Sequence, residues 1–197
     1  MNTVPPAPTL PTVLIVPGLR DHVKTHWQTW LAQQLPQAHT VPPLGREDVN
    51  CAKRVQAIED AVAKLQAPVL IVAHSAGCLM VAHWCRSTAY APRVRGALLA
   101  APPDFEHPMP EGYPTLPELR AGGWLPVPRQ TLPFASVVAI SRNDPLASVA
   151  QARAMAEDWG SQTVDLGEVG HLNPQSGYGE WPMALQLITQ LSRTGEP

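Results

Sequence analysis

Apolar residues in this chain fall into short unbroken runs, separated by stretches in which they recur every three or four positions. The first run, residues 12–16, stops at Pro17-Gly18 and reads as a buried strand. Trp27, Trp30, Leu31 and Leu35 follow at helical spacing, closed by Pro36, and residues 39–41 make a weak second strand before Pro42-Pro43. Val55, Ile58, Val62 and Leu65 mark an amphipathic helix with Asn50 as its cap and Pro68 beyond its end. Residues 69–72, Val-Leu-Ile-Val, are apolar at every position, as a central parallel strand covered on both faces should be. A helix should start near Ala76 and run through Leu79, Val81, Ala82 and Trp84. Further strands are expected at 94–100, 136–140 and 163–166, with helices at 146–159 and 183–191. Strand and helix alternate throughout. That order predicts an α/β fold: a three-layer sandwich around a mostly parallel sheet of about six strands.

One segment interrupts the alternation. Residues 102–133 are rich in proline, carry little periodicity and read as a cap-like excursion over the strand ends, with a passive surface excursion as the alternative. At 197 residues the chain suits one domain with a substantial core, preceded by a flexible N-terminal segment at residues 1–11. A hydrophobic share of 45% against 15% charged residues is a globular balance, and a net charge of −2 supplies no basic field for nucleic acid or an anionic membrane. Three cysteines form no closed disulfide framework and have no partners at metal-ligand spacing. The proline-rich start does not resemble a signal peptide, and no run approaches the roughly 18 apolar residues of a membrane span, so a cytoplasmic setting is expected.

The strongest strand leads into Ala73-His74-Ser75-Ala76-Gly77 and then into a helix. A nucleophilic serine needs this context: a sharp strand-to-helix turn lifts its hydroxyl above the sheet edge, and the residues two before and two after must be small. Here they are Ala73 and Gly77. Such a serine needs a base of pKa near working pH and an acid to fix the tautomer of that base. In a parallel sheet both should sit beyond later strands, in the order serine, acid, histidine. Asp144 follows the strand at 136–140, and His171 follows the strand at 163–166. Asp104, beyond the strand at 94–100, is the competing acid, whereas Asp165 lies within a strand and should point away from the rim. Backbone amides of Ala76 and Leu19 are the expected oxyanion donors, with Gly18 letting the chain turn towards the substrate. Gly18, His74, Trp27, Asn173 and Trp181 are the expected pocket residues; His22 and His26 stand near the first strand's end and also qualify as lining. Trp124 is a further wall candidate, and His83 and His107 are expected on the surface or the cap. No metal or organic cofactor is required.

The run at residues 170–182, Gly-His-Leu-Asn-Pro-Gln-Ser-Gly-Tyr-Gly-Glu-Trp-Pro, carries a family resemblance. Together with His74-Ser75-Ala76-Gly77, the first-strand turn and the Trp27 region, it resembles the small serine hydrolases that include retinoblastoma-binding protein nine and the YdeN-like proteins. The resemblance extends from Val13 to about Leu187. The alanine at position 73, where glycine is usual, and the loop Leu19-Arg20-Asp21, with few glycines, depart from the pattern. The resemblance implies a minimal α/β-hydrolase with Ser75, Asp144 and His171 as its triad. The expected activity is hydrolysis of small acyl esters through an acyl-enzyme. Alternatives are a small-substrate amidase or peptidase, and a non-catalytic protein-binding module on the same fold. A small-molecule substrate is expected, and oligomeric state is left open.

Overall fold

Alternate residues of each apolar strand face opposite ways, and different helices cover the two faces. In the computed structural model, which describes residues 11–20, 23–45, 47–66 and 68–194, the elements run in this order. They are β1 (Thr12–Val16), α1 (Trp27–Gln34), β2 (Ala38–Thr40), α2 (Cys51–Lys64), β3 (Val69–His74), α3 (Ala76–Trp84), β4 (Val94–Ala100), α4 (Leu116–Ala121), β5 (Ala135–Ile140), α5 (Val149–Asp158), β6 (Gln162–Asp165) and α6 (Pro182–Arg193). The strands form one sheet in the order β2-β1-β3-β4-β5-β6, and every pair is parallel.

Leu14, Ile71, Leu99 and Val138 point into a core shared with Ile58 of α2, Leu79 of α3 and Met155 of α5. Their neighbours Ile15, Leu70, Leu98 and Val137 point the other way, against Trp27 and Leu31 of α1 and Ile188 of α6. A strand buried on both faces must be apolar at successive positions, which is why β3 carries no polar residue before His74. Register aligns Val16 with Ala73, His74 with Ala100 and Ile140 with Asp165. The carboxyl ends of β1, β3, β4, β5 and β6 therefore share one rim.

Several boundaries differ from the pattern-based expectation for local reasons. Helix α5 begins at Val149 rather than at 146 because Ser148 caps it reciprocally with Gln151. Strand β2 is three residues long and starts one residue earlier, pairing Ala38 with Val13 at the sheet edge. Helix α4 was not expected. It is nucleated inside the proline-rich segment by a capping box between Thr115 and Glu118, and it buries Leu119.

That segment is also less of an excursion than its composition suggests. Phe105, Leu119, Trp124, Val127 and Leu132 all belong to the core on the α2 and α3 side. Trp124 is fully buried; its indole N–H donates to Val49 O, and its ring meets those of Phe105 and His83 edge-on. Apolar anchors hold the base of this segment, and a narrower stretch around Met109 to Tyr113 reaches over the rim. The expectation of a flexible segment at 1–11 concerns residues of which all but Pro11 lie outside those described.

Candidate active site

The chain passes from β3 to α3 through Ser75, whose φ of 56° and ψ of −131° lie in a sparsely populated region. The turn is held by Ser75 N–H donating to Ala100 O (2.9 Å) and Cys78 N–H donating to Ser75 O (2.9 Å). Close approach to β1 sets the size limits around it. A Cβ on Gly77 would lie 2.5 Å from Val16 O, and one on Gly18 would lie 3.0 Å from Ser75 Cβ. Ala73, where glycine is more usual, is accommodated with its methyl fully buried in the core.

Asp144 and His171 arrive from the ends of β5 and β6. His171 Nε2 lies 2.8 Å from Ser75 Oγ, and Nδ1 lies 2.9 and 3.0 Å from the two Asp144 oxygens. A carboxylate only accepts, so Nδ1 carries the hydrogen and the free lone pair on Nε2 faces the serine hydroxyl. Both side chains are almost fully buried, which strengthens the pairing. Asp144 Oδ1 also accepts from Leu146 N–H at 2.9 Å, fixing the carboxylate plane.

The two loops that bring the acid and the imidazole are bonded to each other. Asn143 Oδ1 accepts from Gly170 N–H (2.7 Å) and from the Ser141 hydroxyl, while Ser141 Oγ accepts from Val169 N–H (3.3 Å). Ser176 Oγ accepts from His171 N–H (3.0 Å) and donates to Asn173 Oδ1 (2.9 Å). Gly170 has φ 60°, and a Cβ there would lie 2.4 Å from Ser176 Oγ, so only glycine fits. The family-like run after His171 is thus, in large part, a device that shapes the loop around the imidazole. Sequence reasoning did not single out Asn143, Ser141 or Ser176. Their immediate neighbourhood to Asp144 and His171 was the available signal.

His74 is buried beneath the rim. Its ring lies 4.8 Å from that of His26 and 5.0 Å from that of His171 (centroid distances), and its Nε2–H donates to His171 O at 2.9 Å. Burial, with His171 and His26 adding to it, pushes its pKa well below the usual imidazole value; burial does the same, less strongly, at His83. The unfolded chain would protonate both rings below about pH 6.5, whereas the folded chain takes up those protons only at lower pH. Stability is then fully present above that pH and declines as pH falls through it. The expected outcome is a lower Tm at pH 5.5 than at pH 7.5 by calorimetry, and an unchanged Tm would contradict it.

A cleft of about 760 Å³ opens over Ser75 and His171, walled by Gly18, Leu19, Phe105, Met109 and Asn173. Arg20 spans its mouth: the guanidinium lies 4.1 Å from the Tyr113 ring centroid and donates to Gly112 O. Among the described residues, no group of three His, Cys, Asp or Glu side chains is placed to hold a metal ion.

The family model described as serine hydrolase matches residues 13–190. The chain belongs to the serine hydrolase family. A YdeN-like hydrolase from Pectobacterium atrosepticum superposes with a TM-score of 0.76 at 27% identity, over 94% of this chain and 92% of that one. The ydeN gene product of B. subtilis gives 0.70 at 16% identity over 91% and 97%. Est1E from Butyrivibrio proteoclasticus, solved with ferulic acid bound, gives 0.65 at 13% identity over 92% and 86%. No curated protein matches the chain by sequence. The protein is a hydrolase with the α/β-hydrolase fold.

Within this serine hydrolase the expected pocket residues divide. Gly18, His74 and Asn173 border the cleft. Trp27 and Trp181 do not. They are buried behind it, packed edge-on at 4.8 Å between α1 and α6, because the apolar side of the sheet needs large rings there. Trp124 is likewise core. Asp104 does not reach His171; its buried carboxylate is held by His107 and Gln151. Asp165 is exposed and pairs with Arg142. His26 borders the cleft, whereas His22 lies outside the described residues. His107 is exposed as expected, but His83 is half-buried and bonded to Trp124 O. No helix among the described residues is long and apolar enough to cross a membrane.

Proposed function

We propose that this serine hydrolase cleaves small acyl esters through an acyl-enzyme on Ser75, with His171 as base and Asp144 orienting it. The observation that carries the reading is the bridging position of His171, 2.8 Å from Ser75 Oγ on one side and 2.9 Å from Asp144 on the other, at the floor of an open cleft. Ser75 Oγ attacks the ester carbonyl as its proton passes to His171 Nε2, and Asp144 stabilises the imidazolium that forms. The oxyanion is received by the amides of Leu19 and Ala76. Both residues border the cleft, neither amide has an acceptor among the described residues, and Ala76 opens α3, so the helix N-terminus adds to the field. Collapse expels the alcohol, protonated by His171. Water then attacks the acyl-enzyme by the same route, releasing the carboxylic acid and restoring Ser75. No step draws on a metal or an organic cofactor.

Esters are favoured over amides because the leaving alkoxide needs less help than an amine, and the cleft of about 760 Å³ beneath the Met109 to Tyr113 stretch has room for a small-molecule substrate. The test combines p-nitrophenyl esters of increasing chain length with fluorophosphonate labelling and peptide mapping by mass spectrometry. Hydrolysis of the shorter esters, with the phosphonate adduct on the peptide at Ser75, is expected. An adduct on another residue would move the nucleophile, and faster turnover of aminoacyl amides than of esters would favour the amidase.

A further inference from the structure

His74 sits directly before the proposed nucleophile in the chain, yet its functional contact is with the proposed base. His74 borders the cleft but is only 5% exposed, so most of its side chain faces protein rather than the open space. Its Nε2–H donates to the backbone carbonyl of His171 at 2.9 Å across 97 residues of chain. The ring is also clamped. His26 lies on one side at 4.8 Å, His171 lies at 5.0 Å, and Trp27 meets it edge-on at 5.9 Å. No backbone ladder links these two positions, because His74 belongs to β3 and the His171 loop follows β6, at the far edge of the sheet. Apart from this bond and the one between His171 and Ser75, the hydrogen bonds of the His171 loop among the described residues run to its own residues and to the acid loop after β5. A link to the serine turn therefore has to come from a side chain.

We propose that His74 is a positioning residue, whose bond to the His171 carbonyl sets the separation between the Ser75 hydroxyl and the His171 imidazole. This inference rests on the function proposed above. A carbonyl oxygen only accepts, so Nε2 of His74 carries a hydrogen, and burial, with His171 and His26 adding to it, keeps the ring as the neutral Nε2–H tautomer. Neutrality matters here: a second cation 5.0 Å from His171 would oppose the imidazolium that the reaction needs.

Three variants of the full chain test the assignment: H74F, H74N and H74Q. Phenylalanine keeps an aromatic ring between these neighbours and loses the donor. Glutamine carries an N–H out to about the reach of Nε2, and asparagine stops one methylene short. A displacement of the order of 1 Å in a reacting pair costs about 10²-fold in rate, so kcat on a p-nitrophenyl ester is expected to fall about 10²-fold in H74F and H74N. KM should stay near the wild-type value, and H74Q should recover most of kcat. If H74F does not fold, the comparison of H74N with H74Q carries the test alone. Equal kcat in these two, or a loss that appears in KM, overturns the proposal.

A second readout does not need turnover. The low-field proton resonance of His171 Nδ1–H, protected by Asp144, is expected to be sharp in wild type and H74Q and broadened in H74N. If wild type turns over no ester while this resonance behaves as expected, the functional reading fails and the positioning role stands. If turnover is normal and the resonance ignores position 74, the positioning role fails.

Discussion

Asp144→Asn is expected to lower kcat by about 10⁴-fold, with KM and Tm little changed. The magnitude follows from which atom of the new amide can sit where. Asp144 Oδ1 accepts from Leu146 N–H at 2.9 Å. An asparagine must keep its oxygen there, since turning its NH2 towards a donor would leave both unsatisfied. The NH2 group then takes the place of Oδ2, 2.9 Å from His171 Nδ1, and donates to it. Nδ1 becomes the acceptor and the ring proton moves to Nε2. That nitrogen, 2.8 Å from Ser75 Oγ, no longer has a lone pair with which to take the serine proton. Shape survives and chemistry does not. Steady-state kinetics on a p-nitrophenyl ester, with Tm as the control for folding, decides the matter. A fall of less than about tenfold would mean that Asp144 does not set the tautomer.

Gly77→Ala carries the largest expected effect on stability. Its Cβ would meet Val16 O at 2.5 Å and Pro17 O at 2.8 Å, and both are backbone atoms with no rotamer to escape into. Overpacking of this kind costs about 1–3 kcal/mol, equivalent to a loss of roughly 2–12 °C in Tm for a chain of this size. The displaced strand end leads straight into Gly18 and Leu19, so one proposed oxyanion donor moves with it. Loss of a single such donor costs about 10²-fold or more in kcat. Gly179→Ala is the matched control, because a Cβ there meets nothing within 4 Å and its φ is not in the left-handed region. If the two variants melt and turn over alike, the close packing of α3 on β1 is not what the turn requires.

Much of this architecture could be read before any coordinates. Buried parallel strands are apolar at consecutive positions, and Val69 to Val72 advertise themselves by that alone. Ser75, Asp144 and His171 could be nominated because a parallel sheet sends all its strand ends to one rim, so position relative to a strand is itself spatial information. What could not be read was anything decided by tertiary packing. Tryptophans near the elbow looked like pocket walls, yet Trp27 and Trp181 fill the space behind the sheet, since a large ring is equally at home in either place. Proline content in residues 102–133 hid the apolar anchors at the base of that cap-like excursion, although the Thr115–Glu118 box was present as a local signal for α4. The reach of His74 to His171 O spans 97 positions, and no periodicity encodes such a contact.

Asn143 and Ser141 stitch the loop after β5 to the loop after β6, so that Asp144 and His171 ride on what is mechanically one body. The serine rides on another, the turn between β3 and α3. Three side chains drawn from three strands would ordinarily need several independent coordinates to be held at once. Here the acid–base separation is internal to one body, so assembling the group reduces to placing that body against the serine turn.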